Sequence, residues 1–208
     1  MHLKRQAAAT NLPIKRKGTT YIARALSNPY NSVPLLIALR DMLKLVKTRK
    51  ELEKMIKLNL LKINWRIARD YRDSINIFNI LEADKKYILT ILKTGRFAFE
   101  EATSSDRLCK VTGRKLLSGG KIQLNLHDGT NLLSNDKINI EDSVYLSQEN
   151  KIKKHLSLEK NVKVFVMSGK YKGFRGVVSG LDKKKVVAKL KDKEEPVELS
   201  AFQLIAYD

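Results

Sequence analysis

The apolar positions of this chain change period along its length, and each period predicts a different element. From Pro34 onward, Leu36, Leu39, Leu43 and Val46 recur at spacings of three and four, one stripe of a helix whose first position suits proline. Arg40, Lys44 and Lys47 fall on another face of that helix. A second helix is predicted after Thr48, because Thr48 and Glu51 make a Thr-x-x-Glu capping box, in which each side chain accepts a backbone N–H of the other. Its Leu52, Met55 and Ile56 point inward, whereas Lys50, Lys54 and Lys57 align on a separate face, and Arg49 adds charge at its start. A face of lysines alone repels itself unless a counter-charge is present.

The period then drops to two. Over 61–67, Leu61 and Ile63 alternate with Lys62 and Asn64, and Asn64-Trp65 stands where a tight turn falls, followed by Arg66, Arg69 and Arg72. Residues 74–103 are mixed, with 87–92 the best strand. Hairpin logic follows: Gly119-Gly120, then Ile122, Leu124 and Leu126 against Lys121, Gln123 and Asn125, then the turn Asp128-Gly129. In the last quarter Val162, Val164 and Val166 alternate with Lys163 and Phe165, a glycine-rich loop occupies 169–176, and strands are predicted at 177–178, 186–190 and 197–199, with a turn at 181–184. Five short strands in under fifty residues fit a small barrel.

Before Pro34 neither period is present. Residues 1–40 hold Lys4, Arg5, Lys15, Arg16, Lys17, Arg24 and Arg40 and no Asp or Glu, and Pro13, Gly18, Pro29 and Pro34 interrupt any regular element. This predicts an extended arm that becomes ordered against an anionic partner, with Tyr21, Ile22 and Tyr30 available to pack or stack.

Charge sharpens that reading. Lys and Arg outnumber Asp and Glu by 41 to 22, a formal charge of +19 that a polyanion would neutralise. Nucleic acid is the first candidate. A membrane is not expected, since the longest apolar run, 33–39, is seven residues, against the roughly 18 that a span needs. The N-terminus lacks the apolar core of a signal peptide, so a reducing compartment is expected, and the single Cys109 reads as a small buried side chain. Charge is nearly balanced over 121–160, which marks that stretch as a spacer and protein contact more than an RNA anchor.

The loop Gly169-Lys170-Tyr171-Lys172-Gly173-Phe174-Arg175-Gly176 joins two strands and lacks the helix and Gly-Lys-Ser/Thr end of a nucleotide loop. Its glycines allow sharp turns, Lys170, Lys172 and Arg175 suit phosphate contact, and Tyr171 or Phe174 suits base stacking. His127-Asp128 has no third group to orient it, and an Asp before Gly has a complete explanation as a turn. His2 and His155 lie in basic stretches without metal-ligand spacing, so neither an active site nor a metal is expected.

The 169–176 loop resembles the KOW motif of ribosomal proteins and transcription elongation factors. Residues 34–72 resemble a small RNA-binding module shared by a bacterial ribosomal protein, some pseudouridine synthases and tyrosyl-tRNA synthetases. With the arm segments 4–8 and 13–18, the stretch 34–45 and the segment 123–129 in collinear order, nearly the whole chain resembles small-subunit ribosomal protein four of the archaeal and eukaryotic type.

That resemblance implies an α+β, multi-module chain: an extended basic N-terminal arm (1–33), a helix-helix-β-hairpin RNA-binding domain (34–105), a small antiparallel β domain (106–160) and an SH3-like KOW β-barrel (161–208). It implies a structural constituent of the small ribosomal subunit that contributes to assembly and translation, with no catalysis. Its implied partners are small-subunit rRNA and neighbouring small-subunit ribosomal proteins, without cofactor, membrane or small-molecule substrate. The implied location is the cytoplasmic ribosome, with a nucleolar stage if the source is eukaryotic. The implied RNA contacts are the seven cations of the arm and first helix start, together with Lys44, Lys47, Arg49, Lys50, Lys54, Lys57, Arg66, Arg69, Lys170, Tyr171, Lys172 and Arg175. Where the family has glycines, this chain has Asn59 and Asn64-Trp65, and Trp65 at positive φ would be strained. The sequence ends soon after the KOW segment, which implies a compact version of the family. Two other readings use the same parts, an RNA-modifying or tRNA-charging enzyme and a KOW-bearing transcription factor. The first needs a catalytic domain where two small β domains are predicted; the second would not sediment with small subunits.

Overall fold

In a computed structural model, the structure describes residues 2–102, 105–117, 120–134, 138–182, 185–191, 193 and 195–208. Gly119 of the expected glycine pair, and Lys183 and Lys184 of the expected 181–184 turn, lie outside the described residues. Among the described residues the protein is mostly β, in antiparallel sheets, with two short α-helices, so it leans further toward strands than an even α+β mixture. No helix among them is long and apolar enough to cross a membrane. The chain forms two compact units, residues 1–104 and 105–208.

In the first unit the basic arm is not extended. Strand β1 (Leu3–Lys4) pairs antiparallel with β2 (Tyr21–Ile22), and Ala8, Leu12 and Ala25 are buried. These buried side chains and the strand pairing fold the segment back on its own unit. Its carbonyl at Asn11 accepts the Phe97 N–H at 2.9 Å, and the Asn11 amide donates to the Tyr30 carbonyl at 2.9 Å.

Strand β3 (Ser32–Pro34) pairs with β6 (Ser74–Asn76). This pairing overrides the predicted helix start, since Pro34 is the last residue of the strand and has extended backbone. Helix α1 spans Leu35–Ile37, and its first N–H groups are met by the carbonyls of Asp73 and Tyr71 at 2.9 Å each. The chain then widens into a π-helical turn, Ala38–Met42, and leaves the helix at Lys44, whose φ is +57°. Leu36, Leu39 and Val46 are nonetheless buried, so the apolar period marks the core correctly although the backbone is not one helix.

Helix α2 spans Arg49–Lys57 and carries the expected box: Thr48 Oγ1 accepts the Glu51 N–H at 3.3 Å, and Glu51 Oε2 accepts the N–H groups of Lys47 and Thr48. It buries Leu52 and ends in a Schellman motif. Asn59 takes φ +56°, its N–H donates to the Ile56 carbonyl, and the Leu60 N–H donates to that of Met55.

The main sheet of this unit runs in the order β5-β4-β7-β8-β9, with β4 at Lys62–Ile63, β5 at Arg66–Ile67, β7 at Ile80–Glu82, β8 at Lys86–Ile91 and β9 at Phe97–Glu101. The β4–β5 turn puts both Asn64 (φ +49°) and Trp65 (φ +65°) in the left-handed region. That is the backbone a two-residue hairpin turn demands, and a bulky residue adopts it at a cost. Asn64 offsets it, donating its N–H to the Ile80 carbonyl at 2.8 Å while its Oδ1 accepts the Ile80 N–H at 2.9 Å.

The second unit holds two five-stranded sheets. The first is ordered β12-β11-β10-β13-β14, with β10 at Arg107–Leu116, β11 at Ile122–Leu126, β12 at Asn131–Ser134, β13 at Ser143–Leu146 and β14 at Ile152–Leu156. Cys109, Leu124, Leu126 and Val144 lie in its core. The second is ordered β18-β17-β16-β15-β19, with β15 at Lys163–Val166, β16 at Arg175–Leu181, β17 at Lys185–Leu190, β18 at Val197–Ser200 and β19 at Leu204–Ala206.

Phe165, which alternates with Val164 and Val166, is buried as they are, opposite Ile205 of β19. The reason is that β19 is fastened to the first sheet, with the Ala206 N–H donating to Ser143 Oγ at 2.9 Å. Lys110 of β10 reinforces the joint: its buried ammonium donates to the carbonyls of Ala201 (2.5 Å) and Leu204 (2.7 Å) and pairs with Glu141 at 2.5 Å. Burial pushes the Lys110 amine below its ordinary value, with Glu141 opposing that shift.

Candidate nucleic-acid interface

The cations singled out in the sequence divide, in the structure, into those held by protein groups and those presented to solvent. In the arm, Lys4 is exposed on β1 and Arg24 is half-buried. Arg5 serves as a strut. Its Nε donates to the Thr19 carbonyl at 2.7 Å, one terminal nitrogen to the Lys15 carbonyl at 2.8 Å and the other to Thr19 Oγ1 at 2.7 Å. These bonds shape the 15–19 loop so that Lys15, Arg16 and Lys17 are displayed on its exposed side. Gly18 is required there, with φ +141° and a position where a Cβ would stand 3.1 Å from the Arg5 guanidinium carbon.

The predicted stripe of Arg40, Lys44 and Lys47 does not form. Arg40 makes a two-point pair with Asp41 (2.8 and 3.1 Å), which raises its pKa. Lys44 sits in the left-handed residue after the π turn, and Lys47 precedes α2, where its backbone N–H feeds the Glu51 carboxylate. That hydrogen bond is the main cause holding Glu51 below its ordinary value.

On α2 the division is sharp. Arg49 pairs with Glu53 at 2.7 Å and lies 3.8 Å above the Tyr71 ring, while Arg72, paired with Asp70 at 2.9 Å, approaches the same ring at 5.4 Å. Lys50, Lys54 and Lys57 are exposed and have no carboxylate within ion-pair distance among the described residues. Arg66 is exposed on β5, and Arg69 is exposed in the following loop, which the Asp73 carboxylate folds by accepting the N–H groups of Arg69 and Asp70.

The 169–176 loop turns at Gly169 (φ +89°) and Gly173 (φ +86°). Tyr171 does not stand out as an open stacking platform. It packs half-buried against the second sheet's core, edge-on to Phe174 at 6.2 Å, with Lys170 and Lys193 5.7 and 5.1 Å from its ring. Lys170 and Arg175 are exposed and Lys172 is half-buried. Lys193 is not singled out by the sequence, because its approach to Tyr171 exists only in the fold. Arg96 comes beside the arm although its neighbours there, Arg5, Lys15 and Arg16, are distant in sequence.

His127 and Asp128 are structural. Asp128 pairs with Arg107 at 2.8 Å, both buried, and also accepts the N–H and hydroxyl of Thr130. His127 Nδ1 accepts the Lys110 N–H at 3.1 Å. Cys109 is buried as expected, which drives its thiol far above the ordinary range. Among the described residues no group of three His, Cys, Asp or Glu is placed to hold a metal.

A family described as Ribosomal family S4e matches residues 83–152. Small ribosomal subunit protein eS4 of Methanocella arvoryzae is 32% identical over 185 residues, covering 85% of this chain and 79% of that protein. Its counterpart in Pyrobaculum aerophilum is 33% identical, covering 94% of this chain and 90% of that protein. The crystal structure of 30S ribosomal protein S4e from Thermoplasma acidophilum shares the fold with a TM-score of 0.71 at 22% identity, covering 85% of this chain and 94% of that one.

Proposed function

The chain belongs to the family of small ribosomal subunit protein eS4, and from that premise we propose that it braces small-subunit rRNA through separate basic surfaces on its two units. As a member of that family it is a structural constituent of the small ribosomal subunit and not an enzyme. It associates there with rRNA and other ribosomal proteins.

The observation that carries the finer reading is the lysine face of α2. Arg40, Arg49 and Arg72 each pair with a carboxylate, whereas Lys50, Lys54 and Lys57 on a capped and packed helix pair with none among the described residues. A rigid row of ammonium groups suits phosphates, which position a protein on RNA without reading sequence. The arm loop with Lys15, Arg16 and Lys17, the turn with Arg66 and Arg69, and the 169–176 loop with Lys170, Lys172 and Arg175 add further contacts. Residues 34–72 act as the helix-hairpin module and residues 161–208 as the KOW-type barrel, with the cytoplasmic ribosome as the working location.

The test is the dependence of affinity on salt. Binding of the full chain to small-subunit rRNA should weaken steeply as salt rises, with a linear relation between the logarithms. A flat response would sink the phosphate reading. Replacing Lys50 and Lys54 together by Glu should leave the chain folded and abolish its incorporation into small subunits. A KOW-bearing transcription factor, by contrast, would not co-sediment with small subunits in high salt.

A further inference from the structure

The arm and the turn between β8 and β9 form a pocket lined by Arg5, Lys15, Arg16 and Arg96, with Ala8 and Leu12 on its apolar side and no carboxylate in its lining among the described residues. These four cations come from three separated stretches that the fold brings together. Arg5 is locked by its bonds to Lys15 and Thr19, which seat the 15–19 loop. Arg96 is set by a tight turn, in which the Leu92 N–H donates to the Arg96 carbonyl at 2.8 Å and the Gly95 N–H to the Leu92 carbonyl at 2.7 Å. The next residue, Phe97, donates its N–H to Asn11 and so brings this turn to the arm.

Cations gathered in one pocket repel one another, and that repulsion works against the hydrogen bonds and the few buried side chains that hold the arm. An oxyanion in the pocket reverses the sign of the interaction. The Arg5 fork retains N–H groups beyond the three it uses on the loop, and Arg16 and Arg96 bring further planar donors suited to phosphate oxygens. We infer that this pocket is a phosphate site that fastens the arm to the β8–β9 turn. In the assembled subunit its occupant is one backbone phosphate of RNA, a source that rests on the rRNA-binding reading, whereas the site itself does not.

Inorganic phosphate is the first probe, applied to the full chain with chloride at matched ionic strength as reference. Trypsin cleavage after Lys15, Arg16 and Lys17 reports the state of the arm. Phosphate should slow that cleavage about tenfold in the wild type, the effect expected if occupancy draws the arm into a protected state. Arg96→Gln should remove the protection without lowering the melting temperature in chloride, and Lys93→Gln, on the same turn but outside the pocket lining, should keep it. Equal cleavage in phosphate and chloride, or equal protection in Arg96→Gln, would overturn the site, as would loss of protection in Lys93→Gln.

A second arm replaces phosphate by a small-subunit rRNA fragment. Protection by RNA that Arg96→Gln weakens supports the RNA phosphate as occupant. RNA protection unchanged in Arg96→Gln would overturn that source and leave a site for free phosphate. A chain that binds no rRNA would defeat the functional reading, while the phosphate experiment still decides the pocket.

Discussion

Arg107 and Asp128 meet at 2.8 Å with both side chains withdrawn from solvent, one from the start of β10 and the other from the turn after β11. The pair is closed by Thr130 and Asn150, which also face the Arg107 guanidinium. Removing one member leaves a buried charge without its counter-charge. Asp128→Ala should therefore lower the unfolding free energy by about 3 to 5 kcal/mol. Chemical denaturation of the full chain measures this, and a loss below 1 kcal/mol would mean that water reaches the pair.

Lys110 gives a pH dependence of definite sign. Burial lowers its folded-state pKa below the ordinary 10.5, so between the two values the unfolded chain binds more protons than the folded one. Stability contributed by this group therefore rises with pH from its lowered value up to about 10.5 and is constant beyond it. Other lysines titrate in the same range, so the measurement is the difference between wild type and Lys110→Met across that window. A difference independent of pH would contradict the burial account.

Asn59 ends α2 in the left-handed conformation that glycine adopts more easily. Asn59→Gly should stabilise the first unit by roughly 0.5 kcal/mol, and Asn59→Ala should destabilise it by about 1 kcal/mol. Thermal melts of the two variants should shift in opposite directions.

The contrast between paired arginine and unpaired lysine on α2 is also measurable. Lys50→Ala should reduce the slope of log affinity against log salt by about one. Arg49→Ala should change it less, because Glu53 and the Tyr71 ring already occupy that guanidinium. Equal changes would show that the pair opens on RNA.

Helix α2 and strand β11 were legible because their signals are local: a cap three residues from its partner, and strict alternation from Ile122 to Leu126. The first helix was not, since carbonyls at Tyr71 and Asp73 and the pairing of Pro34 with Ser74 decide where it starts. Strand β19 has no alternation over its three fully buried residues, so no period marked it. The burial of Arg107 and Lys110 was equally hidden. Charged residues are read as surface by default, and the carbonyl of Ala201 that satisfies Lys110 lies 91 positions away. Of the interface, the charge was visible in advance and the partners were not. Whether a cation is presented or neutralised depends on neighbours such as Asp41, Glu53 and Asp70, at short range on the chain but on faces that only the folded backbone fixes.

The joint at Lys110 also governs when the second unit can form. Its ammonium is held by carbonyls at Ala201 and Leu204, and β15 is completed by β19. A growing polypeptide reaches Lys110 long before those acceptors exist, so the ion stays hydrated while β10 to β14 are already available to pair. Contacts of such sequence separation are slow to close. The joint between the two sheets of this half can therefore close only once residues 201–206 are present, and closing it takes a single ammonium group out of water.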